Sequence, residues 1–415
     1  MKVIEINNGV LLSVQQREDK SSQIEELISL CSNIDINVEK VFQQKRNKYD
    51  LKYYCGKGKL LEIKEYMKAL KDTNIKYLIV NDRITNIQRK NIQKIITNNF
   101  EIIDRTQVIL EIFRKNAKTK ISKIQVELAS LKFEYSSLKG QGNEMSRTGG
   151  GIGTIGPGET QLEYDRRTIN KRINQLKEKL KEATQKRDLT SKNRDKLPYP
   201  KFSLVGYTSA GKSTLLKTLT EDKNLIVSEK YFSTLSPTNR KIQFPCGLNS
   251  FFSDTVGFIE NLPIELVESF KSTLEEINNS DIILHLIDST DKNLSKKISV
   301  VNSMIEQIEF KRKLIIKVFT KIDLLNDEKY EDLKILYPES YFINCLDINS
   351  INNFLNKLIL ELKLLNEYEF KKIQINYNEY WKIEKMNGII GILSKSENEK
   401  GYEMEIIKNQ SIKEF

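Results

Sequence analysis

The chain has one histidine, His285, in 415 residues, and its four cysteines, Cys31, Cys55, Cys246 and Cys345, are scattered with no CxxC pair. Zinc sites draw on clustered Cys and His ligands, and small secreted domains on dense disulfides. Neither a zinc site nor a disulfide framework is expected, and the cysteine usage fits a reduced, cytosolic protein. No apolar run approaches the roughly 20 residues that a membrane-spanning helix needs. The opening stretch MKVIEINNGVLLSVQQ lacks a long apolar segment and a small-residue cleavage site, so neither secretion nor a membrane anchor is expected. Peripheral membrane contact stays open.

What is present is length, charge and glycine in particular places. A chain of this length exceeds one ordinary core and calls for two to four domains. With 39% hydrophobic and 30% charged residues it reads as soluble and folded. Its formal charge of +11 suits a polyanionic partner, although abundant lysine alone would give the same number. Where the charge sits decides between these.

The organising stretch runs from Phe202 to Thr214, FSLVGYTSAGKST. Phe202 to Val205 read as a buried strand. Gly206, Tyr207, Thr208, Ser209, Ala210, Gly211, Lys212 and Ser213 then satisfy the phosphate-loop pattern G-x-x-x-x-G-K-[ST] in full. The glycines permit a tight turn whose successive N–H groups face phosphate oxygens. Lys212 is placed to reach the β and γ phosphates, Ser213 to hold Mg²⁺, and Thr214 to Leu219 continue as a helix with its positive end toward the anion.

Four further elements follow in the order a GTP-binding domain requires. The hydroxyl-rich loop Phe232, Ser233, Thr234, Leu235, Ser236 falls where a switch loop offers Thr234 to Mg²⁺ and the γ-phosphate. Asp254, Thr255, Val256 and Gly257 form a D-x-x-G at the end of a strand; Asp254 holds Mg²⁺ through water and the Gly257 N–H senses the γ-phosphate. A buried strand delivers Thr320, Lys321, Ile322 and Asp323, and the Asp323 carboxylate can accept both guanine N–H donors, which adenine lacks. Asn344, Cys345 and Leu346 place a backbone N–H at guanine O6. Lys212, Thr234 and Gly257 are the expected catalytic residues, with Ser213 and Thr234 as metal ligands. Phe258 follows the D-x-x-G, where many GTPases carry a Gln that orients the attacking water. Phenylalanine has no group for this, so slow intrinsic hydrolysis is expected. His285, mid-strand in DIILHLID, reads as a buried, hydrogen-bonded core residue.

The rest of the chain brackets this domain. From Val38 to Arg105, strands and helices alternate, the pattern of a small parallel α/β domain. The turn Gly56-Lys57-Gly58-Lys59 could bind phosphate but more often such a turn enters a helix. Two helices of about 20 residues follow. In the first, Ile121, Ile124, Leu128, Leu131, Tyr135 and Leu138 fall at alternating spacings of 3 and 4; in the second, Ile169, Ile173, Leu176, Leu180 and Ala183 do the same. These narrow seams describe a coiled hairpin projecting on the order of 30 Å. Its tip, Gly140 to Thr160, is too glycine-rich to build a core. The second helix is basic through Arg166, Arg167, Lys171, Arg172, Lys177, Lys179, Lys181, Lys186 and Arg187. A basic arm ending in bare glycine points to RNA backbone contact. Thr190 to Pro200 reads as a linker, and Phe370 onward as a small α+β appendage in which Gly388 and Gly391 mark a turn-rich stretch.

Together these residues resemble the HflX family of translational GTPases. The stretch Ile102 to Phe113, IIDRTQVILEIF, and above all the tip Gly149 to Arg167, GGGIGTIGPGETQLEYDRR, carry the likeness. The resemblance implies an α/β chain: an N-terminal α/β domain (1–112), a helical hairpin with a Gly-rich loop (113–197), a P-loop GTPase domain (198–366) and a small C-terminal α+β domain (367–415). It implies GTP and GDP with Mg²⁺, a monomer in the cytoplasm, binding to the large ribosomal subunit and its rRNA, and splitting of stalled ribosomes. Ser209 stands where the family usually has an Asn linked to potassium coordination. Thr320 replaces Asn before Lys321, Asn344-Cys345 replaces Ser-Ala, and Ile155 stands where the family usually has Arg. An RNA-binding GTP switch in large-subunit assembly is the competing reading. An ATP-dependent remodeller with a second nucleotide site is a weaker third, since the N-terminal region holds no complete phosphate loop.

Overall fold

The computed structural model describes residues 7–16, 20–69, 75–96, 100–145, 157–195, 197–220, 231–232, 238–260, 262–263, 265–266, 268–270, 278–307, 314–381, 389–399 and 401–410. Packing groups the chain into two units. The first comprises Met1–Ala183, Lys230–Phe232 and Glu260–Phe270; the second comprises Thr184–Glu229, Ser233–Ile259 and Lys271–Phe415.

The first unit opens on a four-stranded parallel sheet. Its strands are β1 (Asn7–Gln15), β2 (Ile36–Lys45), β3 (Ile75–Val80) and β4 (Glu101–Asp104), in the order β2-β1-β3-β4. Helices α1 (Ser21–Asn33), α2 (Lys57–Ala69) and α3 (Asn86–Ile96) provide the crossovers that parallel pairing demands. β1 and α1 precede the region where the sequence shows alternation. β1 is a central strand with Val10, Leu11, Leu12 and Val14 all buried, so both of its faces are covered and it shows no polar alternation. The turn at Gly56 to Lys59 enters α2: the Gly56 N–H donates to Gln44 Oε1 (2.7 Å) and Lys59 pairs with Glu62 on the next helical turn.

At the end of β4, Asp104 caps helix α4 (Arg105–Asn116). Its carboxylate accepts from the Gln107 N–H at 3.0 Å, and Gln107 Oε1 accepts from the Asp104 N–H at 3.1 Å, a reciprocal capping box. Helices α5 (Lys120–Met145) and α6 (Pro157–Asp195) form the expected hairpin. Ile124, Leu128, Ile173 and Leu176 are its buried seam, flanked by Leu131, Tyr135, Ile169 and Leu180. Ile121, Leu138 and Ala183 are half-buried and lie outside that cluster. Both helices exceed the expected 20 residues, and α6 continues to Asp195 through the stretch expected as a linker. No helix-breaking residue occurs there until Pro198. Of the glycine-rich tip expected over Gly140 to Thr160, residues 140–145 end α5 and residues 157–160 open α6 instead of looping, and residues 146–156 lie outside the described residues.

The two short segments that return to this unit are held tightly. The Phe113 ring lies 4.3 Å from Phe232 and 5.0 Å from Phe270, all three buried. Asn116 Nδ2 donates to the carbonyls of Tyr231 (3.0 Å) and Phe232 (3.1 Å). Arg83 pairs with Glu265 at 2.9 Å and donates to Ser136 on α5, while Lys132 of α5 pairs with Glu268 at 2.7 Å.

The second unit holds a six-stranded sheet: β5 (Lys201–Gly206), β6 (Thr238–Gln243), β7 (Asn249–Asp254), β8 (Ile282–Asp288), β9 (Leu314–Thr320) and β10 (Tyr341–Phe342). Their order is β10-β9-β8-β5-β7-β6, parallel except for β6. Helices α7 (Lys212–Thr220), α8 (Leu294–Gln307), α9 (Asp327–Leu336) and α10 (Ile348–Glu361) accompany it. Its core runs from Phe202, Leu204 and Phe252 to Leu358 and Ile407. The strand order reverses between β5 and β8, and in such sheets ligands bind at the carboxyl ends beside that reversal.

The C-terminal sheet is antiparallel, order β11-β13-β12, from β11 (Tyr368–Ile375), β12 (Ile389–Asn398) and β13 (Gly401–Asn409). The stretch expected to be turn-rich is therefore largely a strand. Its Gly391 sits where a Cβ would come 3.1 Å from Leu248 Cβ, and β12 shifts register there. Glycine here buys close approach rather than a turn.

Candidate nucleotide site

The carboxyl ends of β5, β7, β8 and β9 bring Gly206, Asp254, Asp288 and Thr320 to one edge of the sheet. Gly206 has no room for a side chain: a Cβ would sit 2.4 Å from the Leu286 carbonyl oxygen of β8. Ser209 (φ 62°) and Gly211 (φ 86°) take the left-handed turns that wrap the loop. Lys212 is buried, its ammonium donating to the carbonyls of Gly206 (2.9 Å) and Tyr207 (2.7 Å) at the loop's centre. Burial pushes this group down to about 8, with Asp254 opposing; an anion beside it favours the charged form again.

Ser213 is the second residue of α7, and its Oγ lies 3.4 Å from Asp254 Oδ2. A hydroxyl and a carboxylate so placed are hard oxygen donors, the chemistry Mg²⁺ takes. Thr255 donates to the Leu204 carbonyl at 2.6 Å, fixing the segment after Asp254 to β5. Phe258 then docks against the phosphate loop through its backbone: its N–H donates to the Gly206 carbonyl (3.1 Å), and its carbonyl accepts from the Thr208 N–H (2.9 Å). Gly257 is packed so closely that a Cβ would lie 3.0 Å from Thr208 Cγ2 and 3.2 Å from Lys212 Nζ. The Phe258 side chain is buried.

The base end of the site is built by β8, β9 and the loop after β10. Thr320 is fully buried, and its hydroxyl lies 3.0 Å from the Ala210 carbonyl of the phosphate loop and 3.2 Å from that of Ile287. It thus provides a tether from base loop to phosphate loop with a shorter side chain than Asn. Lys321 adopts a left-handed conformation (φ 58°) and pairs with Asp288 at 2.6 Å. Asp323 sits in the 3₁₀ turn Ile322–Leu324 that follows. In the last loop the Asn344 N–H is taken by Ser350 Oγ (3.0 Å) and the Leu346 N–H by Asn344 Oδ1 (2.9 Å). Cys345 is buried and its carbonyl accepts from Thr218 on α7 at 2.8 Å. Burial pushes its thiol up to about 12, with Asp323 adding and Lys321 opposing.

The structure thus gathers Gly206 to Ser213, Asp254 to Gly257, Thr320 to Asp323 and Asn344 to Leu346 along one sheet edge. Ser233, Thr234, Leu235 and Ser236 lie outside the described residues, while Phe232 packs on Phe113. His285 is buried as expected, but its Nδ1 has no hydrogen-bond partner among the described residues. Sequence reasoning missed Asp288, Ser289 and Thr290. The signal was available: a D-S-T at the carboxyl end of a strand already read as buried.

Known proteins match along the chain. Residues 21–114 match the model described as GTP-binding GTPase N-terminal, 116–194 GTP-binding GTPase Middle Region, and 201–321 50S ribosome-binding GTPase. A GTPase HflX of Caldanaerobacter subterraneus is 42% identical over 317 residues, covering 76% of this chain and 73% of that protein. The GTPase HflX of Escherichia coli is 37% identical over 320 residues, covering 77% and 74%. A GTP-binding protein from Sulfolobus solfataricus, solved with GDP, aligns with 87% of this chain and 100% of its own at 24% identity and a TM-score of 0.45, too remote to transfer any residue's role. With the phosphate loop, D-x-x-G and base loop assembled on one sheet, and identity of this extent on either side of them, the chain belongs to the HflX family and is a GTP-binding GTP hydrolase.

Proposed function

We propose that this GTPase binds the large ribosomal subunit and separates the subunits of stalled ribosomes, with GTP favouring the bound state and hydrolysis releasing it. The observation that carries the reading is the hairpin. Its α6 face exposes Arg167, Lys171, Arg172, Lys177, Lys179 and Lys181 beside an apolar seam to which each helix gives two buried residues. A narrow seam leaves most of the helix surface to a partner, and the cations suit a phosphate backbone. The match of residues 201–321 to a family described as 50S ribosome-binding GTPase supports the same partner.

At the site, Lys212 and the loop amides bind the phosphates, and Ser213 would hold Mg²⁺, with Asp254 supporting it through water. Bound there, Mg²⁺ would supply charge neutralisation for phosphoryl transfer. Thr234 is assigned the second hydroxyl ligand, and the Gly257 N–H the γ-phosphate. Asp323 accepts from the two guanine N–H donors, and the Cys345 N–H meets guanine O6. Phe258 offers attacking water no hydrogen bond, so basal turnover is slow and the ribosome supplies or orders the missing group. The chain acts as a monomer in the cytoplasm.

GTP turnover with and without purified large subunits, in potassium and in sodium, tests this. Large subunits should raise turnover, and deletion of Arg147 to Gly158 should abolish subunit splitting with nucleotide affinity intact. Splitting that survives the deletion refutes the hairpin's role. Sedimentation with precursor particles alone, rather than mature subunits, would move the protein to subunit assembly.

A further inference from the structure

We infer that Asp288 is a specificity-determining positioning residue: it holds Lys321, and through Lys321 it aims Asp323 at the guanine base. The inference rests on Asp323 being the guanine reader. β8 and β9 run in parallel register to a final pair, Asp288 opposite Thr320. Immediately beyond it the chain turns at Lys321 in a left-handed conformation that residues other than Gly, Asn and Asp seldom adopt. Such a conformation persists only where its surroundings over-determine it.

Asp288 and its two successors provide those surroundings. One carboxylate oxygen, Oδ2, receives Lys321 Nζ at 2.6 Å. The other, Oδ1, receives the Thr290 N–H at 3.0 Å and the Thr290 hydroxyl at 2.7 Å. The carboxylate is thereby fixed at both ends and cannot follow the lysine. The Thr320 carbonyl, on the peptide leading into Lys321, accepts from the Ser289 hydroxyl at 2.6 Å and the Ser289 N–H at 3.2 Å. Burial raises the Asp288 carboxyl, but hydrogen bonds from Lys321 and Thr290 outweigh it and hold the group below its usual range.

The geometry downstream gives this brace its function. Lys321 is the N-cap of the 3₁₀ turn Ile322–Leu324, and its carbonyl accepts the Leu324 N–H at 3.1 Å. Asp323 is the middle residue of that turn. A rotation at Lys321 therefore swings the Asp323 carboxylate, whereas the phosphate loop stays where Thr320 and Lys212 hold it. The ion pair itself is partly exposed (35% for Lys321 and 20% for Asp288), and such pairs add little to stability. Its effect belongs to direction, and so to the choice of base.

The test compares GDP with inosine diphosphate, which lacks the 2-amino group that Asp323 would receive, by competition against a fluorescent guanine nucleotide on the full-length chain. Wild type should favour GDP. Asp288→Asn keeps the size but loses the charge; GDP affinity should fall about tenfold while inosine diphosphate loses less, so the ratio narrows. The kcat at saturating GTP should stay within about twofold, because binding to ground and transition states is lost alike. Thr290→Val, which removes the hydroxyl bond to Oδ1 and leaves the backbone one, should narrow the ratio by a smaller factor and keeps the test available if Asp288→Asn folds poorly. A merely structural defect would weaken both nucleotides equally; an unchanged ratio in either variant overturns the inference. Asp323→Asn separates the two levels. If it collapses the ratio while Asp288→Asn does not, the brace alone fails; if Asp323→Asn leaves the ratio intact, the guanine assignment fails and the inference falls with it.

Discussion

Because His285 is the chain's one histidine, a titration near neutral pH has a single imidazole to report. It lies in the middle of β8, opposite Val205 on β5 and Lys317 on β9. Burial pushes its pKa from 6.5 down to about 3, with repulsion from Lys317 and Lys212 adding to the effect. The folded protein therefore keeps the ring neutral at pH 5, where the unfolded chain binds a proton. Below pH 6.5 the unfolded state holds more protons, so stability rises with pH up to about 6.5 and is lost as pH falls toward 3. Between pH 7 and pH 5 this one group should cost about 2 kcal/mol. Two measurements check it. The imidazole Cε1–H signal should be a single NMR peak that does not move between pH 7.5 and pH 5. In urea unfolding, wild type should lose about 2 kcal/mol more than His285→Leu over pH 7 to 5; carboxylates such as the buried Asp104 contribute equally to both and cancel. A peak that titrates with a midpoint near 6.5, or matching pH dependences in the two proteins, refutes the argument.

Three other outcomes follow from the geometry. Gly257→Ala places a methyl 3.0 Å from Thr208 Cγ2 and 3.2 Å from Lys212 Nζ; GTP binding should weaken about tenfold or more while GDP binding changes little, read by nucleotide competition. Leu176→Ala opens the hairpin seam and should cost about 2–5 kcal/mol within that element, seen as faster amide exchange in α5 and α6 with nucleotide affinity unchanged. Phe258→Leu should keep basal GTP turnover per folded molecule within about twofold, since the wild-type side chain gives the attacking water no hydrogen bond; a tenfold loss would assign that side chain a catalytic task.

The site was legible in the sequence where its chemistry is local. A phosphate loop, a D-x-x-G and a T-K-I-D each work through a few consecutive residues whose backbone must turn one way, so the residue types announce the turn. Asp288, Ser289 and Thr290 act across strands, on a residue 33 positions away in the case of Lys321, and nothing in their own neighbourhood states the partner. The coiled seam of the hairpin was readable because Leu128 and Leu176 sit in a strict repeat. β1 was not, because a strand covered on both faces shows no alternation. The stretch Thr190 to Pro200 reads as a linker because two prolines close it, yet those prolines, Pro198 and Pro200, act only on the residues beside them, and the polar run before them extends α6 to Asp195. The grip of Phe113 on Phe232 and Phe270 joins residues more than a hundred apart, beyond any local pattern.

That grip bears on how such a chain changes over generations. Chain membership alternates five times, at 183/184, 229/230, 232/233, 259/260 and 270/271, so neither unit is a continuous stretch of gene. Recombination at any of the first four junctions would part Phe113 from Phe232, Phe270 or both, with a buried apolar surface laid open. A nucleotide-binding module of this design cannot be shuffled onto a new neighbour as a cassette. Its halves are inherited as a pair, and a change of size at position 113 should be answered, across descendants, at 232 or 270.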